Sequence, residues 1–454
     1  MKRLALLLAL LAAGPALAQP VTLDLVGTVP FPATQQGNGT SDVWGYVAPD
    51  GAEYAIVGVL SGTAIVSVPD LEVLHTIPGP TGGDFYYHRD MVVYGDVLYV
   101  VAEMRGTNEG LQVIDLSGLP ESAPLVRTVT TASNVRSHNL DVDAATGYAY
   151  VLSQNYRSVR VLDLADPLDP QEVGNVALPE GHDMHARGDT LYVAEGRYSD
   201  GGLVGSFSIW DMADKQAPAL LARVVIPNAG YVHNIWPSDD GRYVVTTEET
   251  SGKTVKVWDI SDLDDVELVG EYLGENGLAH NAHVMGDLVV LSHYSAGVTV
   301  VDIADPAAPV EVAAYDTMPD NNTDRFVGTW GAWPYSPSGY VYAGDFDTGL
   351  TVLQMTRNPV DSEPEAAPAA LSATVYPNPS HAEATLRFEL AEAGPVRAVL
   401  YDVLGREVRV LTDGPHAAGP HTVQLSDAVL PPGAYVLRIE TAEEAQALRI
   451  TRVR

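Results

Sequence analysis

The chain has 454 residues, with 59 acidic and 25 basic side chains and a formal net charge of -34. So acidic a surface lacks the basic patches that nucleic acid or anionic lipid would need, and neither is expected as a partner. The absence of cysteine excludes disulfides, thiolate metal ligands and a cysteine nucleophile, so the fold must rest on core packing.

Residues 1–18 read as a secretory signal. Lys2 and Arg3 precede the apolar run "LALLLALLAA", and Ala16 to Ala18 supplies a small-residue cleavage site. The run is too short to span a bilayer, and no later stretch reaches 18 uninterrupted apolar residues, so no transmembrane segment is expected.

From residue 19 to residue 356 the chain is built on a repeat. Strand-like phrases end on Asp115, Asp163, Asp211, Asp259 and Asp302. Ser67 holds the same slot before them and Gln354 after them, giving seven copies with a period near 48 residues. Each copy carries short segments rich in Val, Tyr and Thr, separated by turns such as Gly95-Asp96 and Gly188-Asp189. Such segments are too short for helices, and four of them per copy describe a propeller blade. The seventh copy stops one strand early, at "GLTVLQM", while "VTLDLVGTV" at the mature N-terminus has no partner. Residues 21–31 are therefore expected to complete the last blade and remove an exposed sheet edge.

The segment ahead of each turn carries a column of aromatic residues: Trp44, His88, His138, His182, His233, His280 and Trp330. Three residues later stand His185 and His283, with Asp141, Trp236 and Trp333 in other copies. The ends of the second strands add Glu103, Glu195, Glu248 and His293. In a propeller the first strand of each blade lines the axis, so equivalent residues should form rings. Histidines beside carboxylates suit a divalent transition metal such as Zn, Cu or Fe. The candidate ligands are His88, His138, His182, His185, His233, His280, His283, His293, Glu103, Glu195 and Glu248. A structural reading competes: the histidines, with Asn139, Asn234 and Asn281 beside them, could form a hydrogen-bond network that fixes the blades. Ca²⁺ is a weaker expectation, at the acidic turns Ser261 to Glu267 and Asp316 to Asp324, neither of which has EF-hand spacing.

Residues 357–373 are rich in Pro, Ala and acids and read as a linker. Residues 374–454 alternate like strands and predict a separate small immunoglobulin-like β-sandwich. Residues 372–454 hold 10 acids and 8 bases, so the acidity belongs to the preceding part of the chain.

The phrases "VLDLADPLDPQEVG" and "VVDIADPAAPVEVA" resemble LVIVD-type repeats. Together with "SHNLDV", "GHDMH", "YVHNIW" and "AHNAH" they resemble the choice-of-anchor B family over residues 40 to 356. That resemblance implies an exported propeller and no settled activity. In the tail, "YPNPS", "YDVLGREV", "LPPGAYVLRI" and "RITRVR" resemble the type A C-terminal sorting domain of type IX secretion. This implies handling by that secretion machinery, passage across the outer membrane, and release or attachment at the cell surface.

The sequence thus predicts an all-β chain, a seven-bladed propeller followed by a β-sandwich, exported to the cell surface or beyond. Three functions remain open. The first is binding through a histidine- and carboxylate-lined axial site that holds a metal. The second is a metal-dependent hydrolase or redox enzyme using that site. The third is a scaffold with an inert channel whose outer faces bind protein or glycan.

Overall fold

The computed structural model describes residues 21–31, 39–82, 88–130, 136–196, 198–199, 203–320, 323, 325–357, 371–376, 383–390, 393–402, 406–426, 433–441 and 445–452. The expected secretory signal and most of the expected linker lie outside the described residues. The chain divides into two compact units near residue 360.

The first unit contains seven four-stranded antiparallel sheets among its described residues. Blade 1 shows the plan, with strands Thr40–Val47, Glu53–Val59, Gly62–Val68 and Val73–Pro78 paired in that order. Blades 2 to 7 start at the strands Arg89–Tyr94, Leu140–Asp143, Met184–Arg187, Val232–Pro237, Ala282–Met285 and Thr329–Trp333. The inner three strands of each blade are mostly buried, whereas the fourth is half exposed, so burial falls outward from the axis.

Local chemistry explains why the repeat is so regular. Asp115, Asp163, Asp211, Asp259 and Asp302 each accept a backbone N–H two residues on, at 2.8 or 2.9 Å. These Asx turns reverse the chain into the fourth strand. A β-bulge in the fourth strand follows the turn, where the pairing passes over one residue: Val126, Val173 and Val269. At the Gly188-Asp189 hairpin both residues have positive φ, 58° and 61°, which a two-residue type I′ turn requires and glycine adopts at little cost.

Each seam between blades has its own apolar core. Ile56, Ile65, Met91 and Ile114 fill the seam between blades 1 and 2. Val57, Val66, Tyr342 and Val352 fill the seam between blades 7 and 1. The strand Val21–Val29 pairs antiparallel with Gly349–Arg357, the outermost strand that the C-terminal part supplies to blade 7. Val21 joins the seam between blades 6 and 7, and Val29 the seam between blades 7 and 1.

The second unit has two sheets around one core. Strands Leu371–Tyr376, Glu383–Leu390 and Gly419–Ser426 make one sheet. Strands Glu407–His416, Gly394–Asp402, Gly433–Glu440 and Ala445–Arg452 make the other. Leu386, Phe388, Leu400, Leu437 and Ile439 are buried between them. Among the described residues, no helix is long and apolar enough to cross a membrane.

Deleting residues 21–31 removes buried valines from two seams and leaves blade 7 with a bare edge. The melting temperature of the deletion protein should fall by roughly 10 °C or more. An unchanged melting curve would show that closure does not depend on this strand.

Candidate functional site

The histidines meet where the first strands approach the axis. His88, His138, His182, His233 and His280 stack in chain order, with successive ring centroids 4.1, 4.3, 4.1 and 4.1 Å apart. Trp330 closes the circle, 4.6 Å from His280 and 5.6 Å from His88. All six side chains are buried.

Trp44, expected in this ring, is not in it. Counted from the strand pairing, Val43 stands where blade 5 has Ile235, so Trp44 corresponds to Trp236 and Ser41 to His233; the hairpin that follows is longer in blade 1, with 11 residues between Trp44 and its partner Ile56 against eight between Trp236 and Val245. Trp44 instead lies 6.4 Å from both His283 and Trp333. Those residues belong to a separate aromatic layer, three positions further along the strands. There Trp236 packs against His185 at 4.0 Å and His283 at 4.3 Å, with Tyr335 stacked on it at 6.0 Å. His185 Nδ1 lies 3.0 Å from an Asp141 oxygen. His185 and His283 are therefore not ligand partners of the five-histidine ring.

Between the two aromatic layers lies a polar one, formed by Asp42, Asp90, Asn139, Asp183, Asn234 and Asn281. It joins neighbouring blades. Asn139 donates to Asp90 at 2.7 Å and accepts from the Met184 N–H at 3.2 Å. Asn234 donates to Asp183 at 3.3 Å and accepts from the Ala282 N–H at 3.1 Å. Asp42 and Asp90 are hydrogen-bonded to each other, and burial raises both, Asp42 to about 7. A cavity of about 40 Å³ lies among these residues, lined also by His88, His138, His233 and His280.

The expected second ring of carboxylates is only partly present. Glu103 reaches the histidines, with Oε1 3.4 Å from His138 Nδ1. Glu195 is turned into its own blade, where it accepts from Ser206 and Ser208 at 2.7 Å and binds the Arg223 guanidinium. Glu248 is bound to Lys256 and to the Gly230 N–H. His293 stays within its blade, its Nδ1 3.4 Å from Thr299 Oγ1. Each of these three satisfies a polar group inside the sheet, where an unpartnered charge would be costly.

The carboxylate that does reach the ring from blade 5 is Glu249, which sequence reasoning missed. It lies 3.8 Å from His280 Nε2 and 4.0 Å from His233 Nε2. Side chains alternate along a strand, so a Glu248 that faces Lys256 sends Glu249 the other way. Two tyrosines were also missed. Tyr156 donates to Glu103 and Tyr294 to Glu249. Both have positive φ, 59° and 46°, a strained conformation for a bulky residue.

The electrostatics favour neutral imidazoles. Burial, reinforced by the neighbouring histidines, holds His233 well below its ordinary pKa and acts likewise on His88. Burial brings His280 down to about 3. His182 is the exception: burial opposes its charge, but Asp183, 3.3 Å away, outweighs burial and raises its pKa. Burial also raises Glu249, against the hydrogen bond from Tyr294. Three sets of side chains bring possible ligand atoms within 4.8 Å of one another: His138, His182 and His233; His88, Glu103 and His138; and His233, Glu249 and His280. At the acidic turns, Asp262 and Asp316 each spend an oxygen on the backbone N–H two residues on.

Two outcomes follow for stability. Asn234→Ala leaves the Ala282 N–H and an Asp183 oxygen without their partner, and should cost roughly 2–4 kcal/mol in chemical denaturation. A loss within error of zero would mean the polar layer does not join the blades. The folded-state pKa of His280, about 3, lies below its ordinary 6.5. The folded state thus binds fewer protons in that interval, so this contribution to stability is whole above about pH 6.5 and is drawn down as pH falls toward 3. Asp42, raised from 3.8 to about 7, acts in the opposite sense. His280→Gln removes the first contribution alone. Without bound metal, its stability should vary less steeply than the parent's between about pH 6.5 and 4, and an unchanged slope would clear His280 of that role.

The comparisons with known proteins agree with this architecture. The LVIVD repeat family matches residues 276–317, which hold blade 6, and the secretion system C-terminal sorting domain matches residues 374–451. No curated protein matches the chain. Among solved structures, the WD40 repeats of RRP9 align at TM-score 0.53 and 14% identity, covering 75% of this chain and 99% of that one. The Cps50 (Swd1) β-propeller domain of Myceliophteria thermophila aligns at TM-score 0.53 and 11% identity, covering 74% and 100%. The hydrazine synthase of Kuenenia stuttgartiensis aligns at TM-score 0.53 and 15% identity, covering 72% and 98%. At such identities these show the fold alone. The chain is thus a secreted, cell-surface β-propeller that carries an LVIVD repeat and ends in a type IX secretion C-terminal sorting domain.

Proposed function

We propose that this is an extracellular binding protein whose axial ring holds a divalent transition metal on His233, Glu249 and His280. One observation carries the reading. His280 Nε2 is buried without a hydrogen-bond partner and lies 3.8 Å from Glu249. His280 Nδ1 lies 2.6 Å from the Trp330 carbonyl oxygen. A carbonyl only accepts, so Nδ1 carries the proton and Nε2 offers its lone pair toward the carboxylate. This is how proteins orient metal-binding imidazoles.

The remaining terms agree. The depressed pKa values keep His233 and His280 in the neutral form that binds metal. Donor separations of 3.8 and 4.0 Å exceed those of a bound tetrahedral ion by only a few tenths of an ångström, given metal–ligand bonds of ~2.0–2.2 Å. Imidazole and carboxylate together suit Zn, Cu or Fe.

Three protein ligands leave a coordination position open. The cavity of about 40 Å³ beside the ring has room for a few waters or a small ligand. The open position favours, as a second reading, a metal-dependent hydrolase or redox enzyme. In the first reading the same position, or the surface around it, receives a protein or glycan.

Metal analysis by mass spectrometry of the full chain, purified without a histidine tag or chelator, should find bound transition metal. His280→Ala should lose one equivalent, and Glu249→Gln should weaken that equivalent at least about tenfold. A folded, metal-free protein that takes up no added Zn²⁺ or Cu²⁺ would make the ring structural.

A further inference from the structure

The geometry points to a second ion on the same ring, held by His88, Glu103 and His138 opposite the set His233, Glu249 and His280. This rests on the reading of the first site as a metal site. It is carried by the repetition of a particular arrangement in two blades that are not neighbours.

In each set a glutamate faces two consecutive histidines of the ring. In each, a tyrosine hydroxyl from the following blade's loop donates to that glutamate: Tyr156 to Glu103 and Tyr294 to Glu249. In each, the tyrosine ring packs on a histidine of its set, Tyr156 at 5.6 Å from His138 and Tyr294 at 5.1 Å from His280. In each, the tyrosine is held in the left-handed region. Only six described non-glycine residues have positive φ, and these are the two aromatic ones. A side chain of this size in that conformation is strained and persists where the surroundings demand it. What the two positions share is the glutamate each tyrosine orients.

The second set also has a buried nitrogen to offer. His138 Nδ1 is buried without a hydrogen-bond partner and lies 3.4 Å from Glu103 Oε1. The ligand atoms of His88, Glu103 and His138 all lie within 4.8 Å of one another. His138 of this set and His233 of the other are joined through His182, again within 4.8 Å. The two sets therefore lie close together on one ring, linked through His182.

The test is native mass spectrometry of the metal-stripped full chain titrated with Zn²⁺, with circular dichroism confirming the fold of each variant. The parent should take up two ions. Glu103→Gln and Glu249→Gln, which keep the shape and the tyrosine contact, should each take up one, and the double variant none. With Cu²⁺, electron paramagnetic resonance should show coupling between the ions in the parent and none in either single variant. One ion in the parent, unaffected by Glu103→Gln, overturns the second site and leaves the first standing. Two ions in both parent and Glu103→Gln overturn this assignment as well. No ion in any of them overturns both sites together.

Discussion

The structure depends on satisfying polar groups in a dry, crowded axis. Every blade delivers its first strand to the same narrow column, so each register position brings the same kind of side chain together several times. A buried polar group without a partner costs more than a hydrogen bond gains. The polar layer meets this demand across the blade boundaries, where Asn139 serves Asp90 and Met184, and Asn234 serves Asp183 and Ala282. Those bonds hold adjacent first strands at a common depth. They thereby hold the histidines, one residue earlier, within stacking distance of one another.

The same constraint separates structural polar groups from candidate functional ones. Glu195 and Glu248 are fully buried, yet each has a basic partner within its own blade, Arg223 and Lys256. Asp141 is committed to the Ala186 N–H and to His185. Among the nitrogens that the protein buries without hydrogen bonds are His138 Nδ1 and His280 Nε2, and these two lie beside the carboxylates Glu103 and Glu249 that tyrosines orient. Closure of the ring by residues 21–29 matters to this set, because Trp330, which completes the aromatic circle, starts the blade that this strand finishes.

Much of this was legible in the sequence wherever a residue's role recurs with the blade. The aspartates of the Asx turns repeat because every blade must reverse the chain at the same point. The histidine column repeats because every first strand meets the axis. The tail was legible from motifs matched along almost its whole length. What was not legible depends on local departures from the period. The longer first hairpin of blade 1 puts Trp44 at the distance from the next turn that the histidines have in other blades, although its pairing with Ile56 places it beside Trp236 and not in the histidine column. Glu248 and Glu249 are adjacent acids, and the sequence does not say which one finds Lys256. Tyr156 and Tyr294 lie in loops, where no periodicity predicts what they face, and their significance lies in a backbone conformation that the sequence does not encode in any single residue.

A ring of histidines could in principle receive either an anion or a cation, and charge decides between them. To bind an anion the imidazoles must be protonated, and burial disfavours that for His88, His233 and His280. The carboxylates Glu103, Asp183 and Glu249 around the same ring would repel an anion at short range. At long range the net charge of -34 does the same, and of four lysines in the chain, Lys215 and Lys256 are already paired with Asp189 and Glu248. A cation meets the reverse of each condition. The field of the whole molecule raises its local concentration, the neutral nitrogens offer lone pairs, and the buried carboxylate of Glu249 gains a counter-charge. The long-range and the local electrostatics thus favour the same occupant, and they do so independently of which ligand or substrate that occupant later meets.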